Sequence, residues 1–318
     1  MKKIFILILF FAVAPEIFSQ SCCGGSFYDI AVLSLDKKAL FILGYTFDDY
    51  KGVWDQNGKW NKLTYTSWQM KPSFSSAYRF NNFLQAGISF PLVINRNVIP
   101  GLEPNGIGFG DITLSGRYEI FQEPSVFFSK RKSEEGINNP YLALTFGVTL
   151  PTGKSEQTAK TEAEILGKGF FITSLGVSAM KTIVKNKFQT AVDLNWQHSF
   201  SKTYSEYFGQ TLPVSYKKQP GERFNYAVSF NYLISTWHAA SVSVGGFFQG
   251  KYRIDGVAGE FSDENSLNFS ASYTYYPDIN IRITPSVKWF IPSDNIGKNA
   301  PGSVMLGINL VYYLENDD

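Results

Sequence analysis

The residues with the sharpest chemistry in this 318-residue chain are few. Its two cysteines, Cys22 and Cys23, are adjacent and are followed by Gly24 and Gly25. Two thiolates on a flexible stalk could hold a soft ion, Cu(I) or Zn(II), or cycle through a strained vicinal disulfide. No histidine lies near them and the chain has only four methionines, so such a metal would lack supporting ligands. A lipid anchor is a third reading, although Ser19 and Gln20 stand where a lipobox prefers leucine; an unpaired or merely oxidised pair is the fourth. No other cofactor is expected.

Catalysis by a serine or an acid needs a base beside it, and the chain offers only His198 and His238. On a strand the same-face neighbours lie two residues away: Trp196 and Phe200 for the first histidine, Thr236 and Ala240 for the second. These surroundings suit an interfacial belt better than a catalytic pair. No catalytic residue is assigned and the protein is not expected to be an enzyme.

The remaining chemistry is charge on otherwise polar strand faces. Arg79, Asp111, Arg117, Glu119, Asp193, Arg223, Arg282 and Lys288 each fall on such a face. If those faces enclose a lumen, the charges must pair or sit in water. Two readings follow: a salt-bridged plug that stiffens a narrow interior, or a polar pathway or binding pocket.

What would hold these residues is a set of two-faced strands. In 279–289, Ile279, Ile281, Ile283, Val287 and Trp289 alternate with Asn280, Arg282, Thr284, Ser286 and Lys288. Segments of this kind fall near 38–49, 63–80, 83–92, 110–121, 140–150, 168–182, 187–200, 222–234, 237–250, 264–276, 279–291 and 302–314. That is about twelve, an even number, and most are long enough for a tilted bilayer crossing. The connections alternate: tight turns at Asn81–Asn82, Lys185–Asn186, Ser235–Thr236 and Pro277–Asp278, long polar stretches near 50–62, 93–109, 151–167, 201–221, 251–263 and 292–301. The segment from about Glu123 to Asn139 breaks this pattern, being long where a tight turn is due. The six tryptophans Trp54, Trp60, Trp68, Trp196, Trp237 and Trp289 fit girdles at the lipid headgroups.

The opening residues Met1, Lys2 and Lys3, the apolar run from Ile4 to Val13 and the small side chain at Ser19 form a signal peptide, with cleavage expected after Ser19. Residues 20–37 then form a periplasmic segment carrying the cysteines, 38–314 an antiparallel all-β barrel in the outer membrane of a Gram-negative cell, and 315–318 a polar tail. Both termini are expected in the periplasm. With 28 Phe, 18 Tyr and 6 Trp but only 18% charged residues, the composition leans towards lipid as a partner. A formal net charge of +2 predicts no nucleic-acid partner. The aromatic-rich closing strand around Tyr312 and Tyr313 resembles assembly signals read by outer-membrane assembly machinery, displaced here by the tail Glu315 to Asp318.

Two local motifs carry a family resemblance. The run Gly106, Ile107, Gly108, Phe109, Gly110, Asp111, Ile112, Thr113, Leu114, followed by Arg117 and Tyr118, resembles the glycine-rich strand start of outer-membrane transporters of the phenol-degradation MetA-pathway family. Pro151, Thr152 and Gly153 after Leu150 are similar to the strand exit of the same proteins. The resemblance implies a porin-like barrel that moves small, often hydrophobic molecules as cargo. A closed structural or partner-recruiting barrel, and a metal- or redox-linked protein acting through Cys22 and Cys23, remain the alternatives.

Overall fold

A computed structural model describes residues 33, 37–98, 105–121, 140–184 and 187–315. The signal peptide, the cysteine pair, the anomalous connection at 123–139 and the tail beyond Glu315 lie outside the described residues. The strands are β1 (Lys37–Trp54), β2 (Trp60–Arg79), β3 (Leu84–Val98), β4 (Asn105–Phe109), β5 (Ile112–Phe121), β6 (Tyr141–Leu150), β7 (Ile172–Val184), β8 (Phe188–Ser199) and β9 (Lys202–Tyr207). They continue as β10 (Gln210–Gln219), β11 (Arg223–Ser235), β12 (His238–Gln249), β13 (Arg253–Ile254), β14 (Val257–Ala258), β15 (Glu264–Asp278), β16 (Ile281–Phe290) and β17 (Pro301–Glu315). No helix among the described residues is long and apolar enough to cross a membrane.

Thirteen of these strands form the wall, twelve staves once β4 and β5 are counted as one, each antiparallel to its neighbours, and β17 pairs back onto β1 from Lys37–Glu315 to Val53–Pro301. The sheet is therefore closed and leaves no free edge along its seam. β4 and β5 share one neighbour: β4 pairs with the Leu92–Arg96 part of β3, and β5 with the Leu84–Ser89 part. They act as one strand broken at Gly110–Asp111.

The pleat turns the usual order of a soluble protein inside out. On β1, Phe41, Leu43 and Tyr45 face outward while Leu40, Ile42, Thr46 and Asp48 are buried, and Leu43 is 58% exposed. The same holds for Leu175, Val192, Leu194, Leu306, Ile308 and Leu310. Water does not tolerate an apolar band of this extent on a monomer, whereas hydrocarbon requires one. The buried faces carry Ser75, Ser89, Thr113, Thr145, Ser178, Asn195, Ser229, Ser243 and Ser270.

Several stretches expected as loops are ordered strand. β1 and β2 run on to Trp54 and Trp60, with only residues 55–59 between them. Within 201–221, β9 and β10 form a hairpin, which joins β13 and β14 in a separate four-stranded sheet. Trp54 also departs from the girdle: it is 1% exposed, lies 4.6 Å from the Trp60 ring and donates from Nε1 to the Ser293 carbonyl at 2.7 Å. Gly297 and Gly302 make room for this indole pair.

The outward face yields a direct prediction. Leu43→Arg places a charge in the apolar band and should lower stability by about 2–4 kcal/mol, read by urea unfolding in lipid vesicles. An unchanged midpoint would mean that this face does not meet hydrocarbon.

Candidate functional site

The inner wall sorts its charges by height. At the end of the tight turns, Arg79 Nη1 donates to Glu119 Oε2 at 2.9 Å and to the Asn82 carbonyl at 3.0 Å. Glu119 also accepts from Gln85 and, at 3.0 Å, from the Tyr141 hydroxyl, which itself accepts from Arg117 at 3.1 Å. This knot grips the chain ahead of β1. The Leu33 carbonyl accepts from Arg79 and Gln85, and its N–H donates to Gln85 Oε1 at 3.1 Å. The Leu33 side chain is fully buried among Leu40, Ile42, Ala77 and Val311, with Tyr313 against them. Arg282 lies over the Tyr313 ring at 5.7 Å on the same side.

Above the knot the inner wall bears short hydroxyl side chains paired across strands: Ser75–Ser89 at 2.9 Å, Thr113–Thr149 at 3.1 Å and Ser243–Ser270 at 2.7 Å. Lys71 bridges Asp48 at 3.3 Å. Small side chains at these positions leave the bore its width, and their hydroxyls satisfy one another in a buried setting.

Asp111, grouped with the lumen charges by its strand face, holds a loop. It sits at the break between β4 and β5, is 2% exposed, and accepts from the backbone N–H of Gly153 at 2.9 Å and of Lys168 at 2.6 Å. Thr152 Oγ1 spans the same break, donating to the Gly110 carbonyl at 2.9 Å and accepting from the Ile112 N–H at 3.0 Å. The two ends of the loop are thus tied to one carboxylate.

Between these ends the loop lies on the inner face of β4. Asn95 donates to the carbonyls of Ala163 and Ile165, at 3.0 and 2.8 Å. A Cβ at Gly106 would come within 2.0 Å of the Ala163 carbonyl oxygen. Glu164, in a 3-10 turn at Glu162–Glu164, accepts from Lys154 and from the Lys160 N–H. Those bonds hold its carboxyl below the usual range, so the tie is present at neutral pH and is lost only as pH falls through that lowered value.

A cavity of about 620 Å³ opens beneath this loop, lined among others by Asp193, Arg223, Phe247, Glu264, Lys288 and Phe290. Arg223 lies 3.6 Å over the Phe247 ring and donates from Nε to Asn225 at 3.0 Å and from Nη1 to Gln249 at 3.4 Å. At its upper rim Lys218 bridges Glu156 of the loop at 2.7 Å.

The eight charges read from the sequence therefore separate into three groups. Arg79, Glu119 and Arg117 build the knot, with Arg282 near it; Asp193, Arg223 and Lys288 line the cavity; Asp111 holds the loop. Sequence reading missed Gln85, Tyr141, Asp48 and Lys71, although their positions on polar strand faces could have marked them. It could not have found Glu156 and Lys168, which owe their places to the loop path. His198 lies between Trp196 and Phe200 and contacts Glu222 at 2.7 Å, while His238 stacks on Tyr275 with ring centroids 5.2 Å apart. Cys22 and Cys23, the candidate Cu or Zn ligands, lie outside the described residues.

Two substitutions test this geometry. Glu119→Ala leaves buried Arg79 without its carboxylate and should cost about 3–5 kcal/mol in vesicle unfolding, whereas Arg79→Met with Glu119→Met should cost less. Asp111→Ala removes an acceptor shared by two backbone N–H groups, so trypsin should cut the folded barrel at Lys154 or Lys160 at least about tenfold faster. Equal cleavage rates would rule out the loop tie.

No curated protein matches the chain. A sequence profile for the family described as "Putative MetA-pathway of phenol degradation" matches residues 51–306. Among solved structures, the chain is similar to an outer membrane channel from Pseudomonas putida F1, with 15% identity and a TM-score of 0.68 over 95% of this chain and 100% of that one. It also matches the translocator domain of the autotransporter NalP from Neisseria meningitidis, with 9% identity and a TM-score of 0.48 over 86% of this chain and 88% of that one. At 15% identity the likeness to the Pseudomonas channel concerns the barrel fold. The profile, by contrast, spans most of the chain and includes the broken strand at Gly110–Asp111 and the Pro151–Thr152–Gly153 exit, and on that ground the chain belongs to the MetA-pathway phenol-degradation family.

Proposed function

We infer that this protein is an outer-membrane channel or transporter for small molecules, hydrophobic ones among them. The observation that carries the reading is the lumen itself, a 620 Å³ cavity beneath an inward loop and above hydroxyl-lined wall. A barrel whose interior served only as a plug would have no need of such a space. The tight turns and both ends of the wall, Lys37 and Glu315, lie at the same end, which we place in the periplasm. The loops and the β9–β10 hairpin then face outward. The outward row Leu306, Ile308, Leu310, Tyr312 and Leu314 of β17 supports recognition by the assembly machinery.

The turn-end knot sets how such a channel conducts. Arg79, Glu119, Gln85 and Leu33 crowd the bore there, so the pore should be narrow. In planar bilayers the folded protein should give small discrete current steps. Arg79→Ala combined with Glu119→Ala should enlarge them, because two long side chains leave the narrowest level and no buried charge is left unpaired. Absence of any current or solute uptake would sink the channel reading in favour of a closed barrel.

A further inference from the structure

We propose that the wall carries a lateral portal above the strand break at Gly110–Asp111, through which small uncharged apolar molecules pass from the lumen cavity into the membrane. The proposal rests on the channel reading and adds a route to it. Its first support is a notch in the wall. β6 ends at Leu150, opposite Ile112, and β7 begins at Ile172, opposite Thr149, so both stop at the level of the break. β4 runs on beyond that level for five residues and, among the described residues, pairs with β3 alone. On the far side of the gap stand Phe200, bonded through its N–H to the Phe171 carbonyl, and the β9–β10 hairpin. At roughly 3.3 Å per residue the notch is about 16 Å tall along the strand, and it is the width of two staves.

A loop fills this notch where strands would be expected. Residues 151–171 cross it, and Ile165, Gly167 and Phe170 line the cavity from that loop. The outer lips are apolar. Across β3 and β4, Ile107 faces Ile94 and Phe109 faces Leu92, and Ile107 and Phe109 are each 71% exposed. On the opposite lip the exposed rings of Phe171 and Phe200 meet edge to face at 5.4 Å. The apolar band therefore reaches the notch, and one layer of chain separates it from the cavity.

That layer is hung as a flap. Asp111 holds the N–H groups of Gly153 and Lys168, so both ends of the loop meet at one carboxylate. Between them the loop is bonded to the wall by Asn95 on one side and to the hairpin by the N–H groups of Phe208 and Gly209, at 2.9 and 3.3 Å, on the other. Gly106 and Gly108 present no side chain to it, so nothing on that face of β4 interlocks with the loop. Chemistry then decides which cargo leaves this way. Toward the turns the bore passes hydroxyl pairs and the bonded knot of Arg79, Glu119 and Gln85, whereas the notch leads to hydrocarbon. Transfer into hydrocarbon is downhill for apolar surface and steeply uphill for a charge.

The test closes the flap with a disulfide in the full-length protein, in a Cys22→Ser, Cys23→Ser background. A Cβ at position 108 would lie 2.8 Å from Leu166 Cδ1, so Gly108→Cys with Leu166→Cys places two thiols within reach of each other. Thiol titration reports closure, and heat-shifted gel mobility reports folding. In Gram-negative cells the readout is entry of N-phenyl-1-naphthylamine, an uncharged dye that fluoresces in hydrocarbon and is excluded by an intact lipopolysaccharide leaflet. In planar bilayers the readout is potassium chloride current. Oxidation should lower dye entry at least about fivefold and leave the current steps unchanged, and reduction should restore the dye. Dye entry equal in the two states, or no greater than in cells lacking the protein, overturns the portal. Dye entry and current falling together also overturn it, because both would then use the bore, and the channel reading survives. Disulfide-sensitive dye entry without current in either state defeats the conducting channel and leaves the portal standing.

Discussion

Hydrocarbon offers no partner to a backbone N–H or C=O, so a chain that crosses a bilayer in strands must pair every one of those groups with its own wall. The closure of β17 onto β1 answers that demand, and the rest of the molecule follows from it. Once the sheet is a tube, the period of two sends alternate side chains to lipid and to the interior. Leu43, Leu175 and Leu310 can then face outward only because Thr46, Ser178 and Asn309 face in. An interior built this way is polar by construction, and the protein has to satisfy there the groups that a soluble fold would leave to water.

It does so differently at each level. Where the bore is narrowest, Arg79, Glu119, Arg117, Gln85 and Tyr141 bond to one another and to the backbone of Leu33, so buried charges meet partners on several sides. Isolated pairs would recover little of their desolvation cost; a knot with several hydrogen bonds per carboxylate recovers more. In the middle, serine and threonine pairs satisfy themselves with minimal bulk. Near the loops, cations lie on aromatic rings and the interior opens into a cavity. A bonded knot of charges and a polar cavity, alternatives when only the sequence is read, are successive storeys of one tube.

Much of this was legible in residue order because the wall obeys a single rule. The alternation expected over 279–291 corresponds to β16 at Ile281–Phe290, and that expected over 237–250 to β12 at His238–Gln249. Legibility fails where lipid stops imposing the rule. Beyond the apolar band both faces of a strand meet polar surroundings, so β9 and β10, with Lys202, Glu206, Lys217 and Lys218, read as loop. Trp54 misleads for a related reason, since an indole near a strand end suits a headgroup girdle and an ordered loop equally well, and only the glycines at 297 and 302, remote in sequence, decide the matter. Charges on polar faces could be assigned to the interior but not to a level, because height depends on the stagger between strands.

The glycine-rich strand start shows how far a motif can be read once its partners are known. Gly106 and Gly108 occupy one face of β4 and Gly110 follows just past its end, while Ile107 and Phe109 occupy the other face, and Ile107 is 71% exposed. A strand that merely needed flexibility would have no reason to place its glycines at every second residue. Their spacing follows from what lies against that face: a Cβ at Gly106 meets the Ala163 carbonyl of the loop, one at Gly108 meets Leu166, and one at Gly110 meets Pro91 and Val93 of the wall at 3.0 and 3.1 Å and the Leu166 carbonyl at 3.2 Å. Asp111 and Thr152 then fix where the loop leaves and rejoins the wall. The two motifs, some 40 residues apart, are halves of one device that brings a loop into the lumen, and that loop supplies Ile165, Gly167 and Lys168 to the cavity. What these two motifs set is therefore the shape of the lumen, carried by glycines for want of side chains and by one carboxylate for its backbone partners.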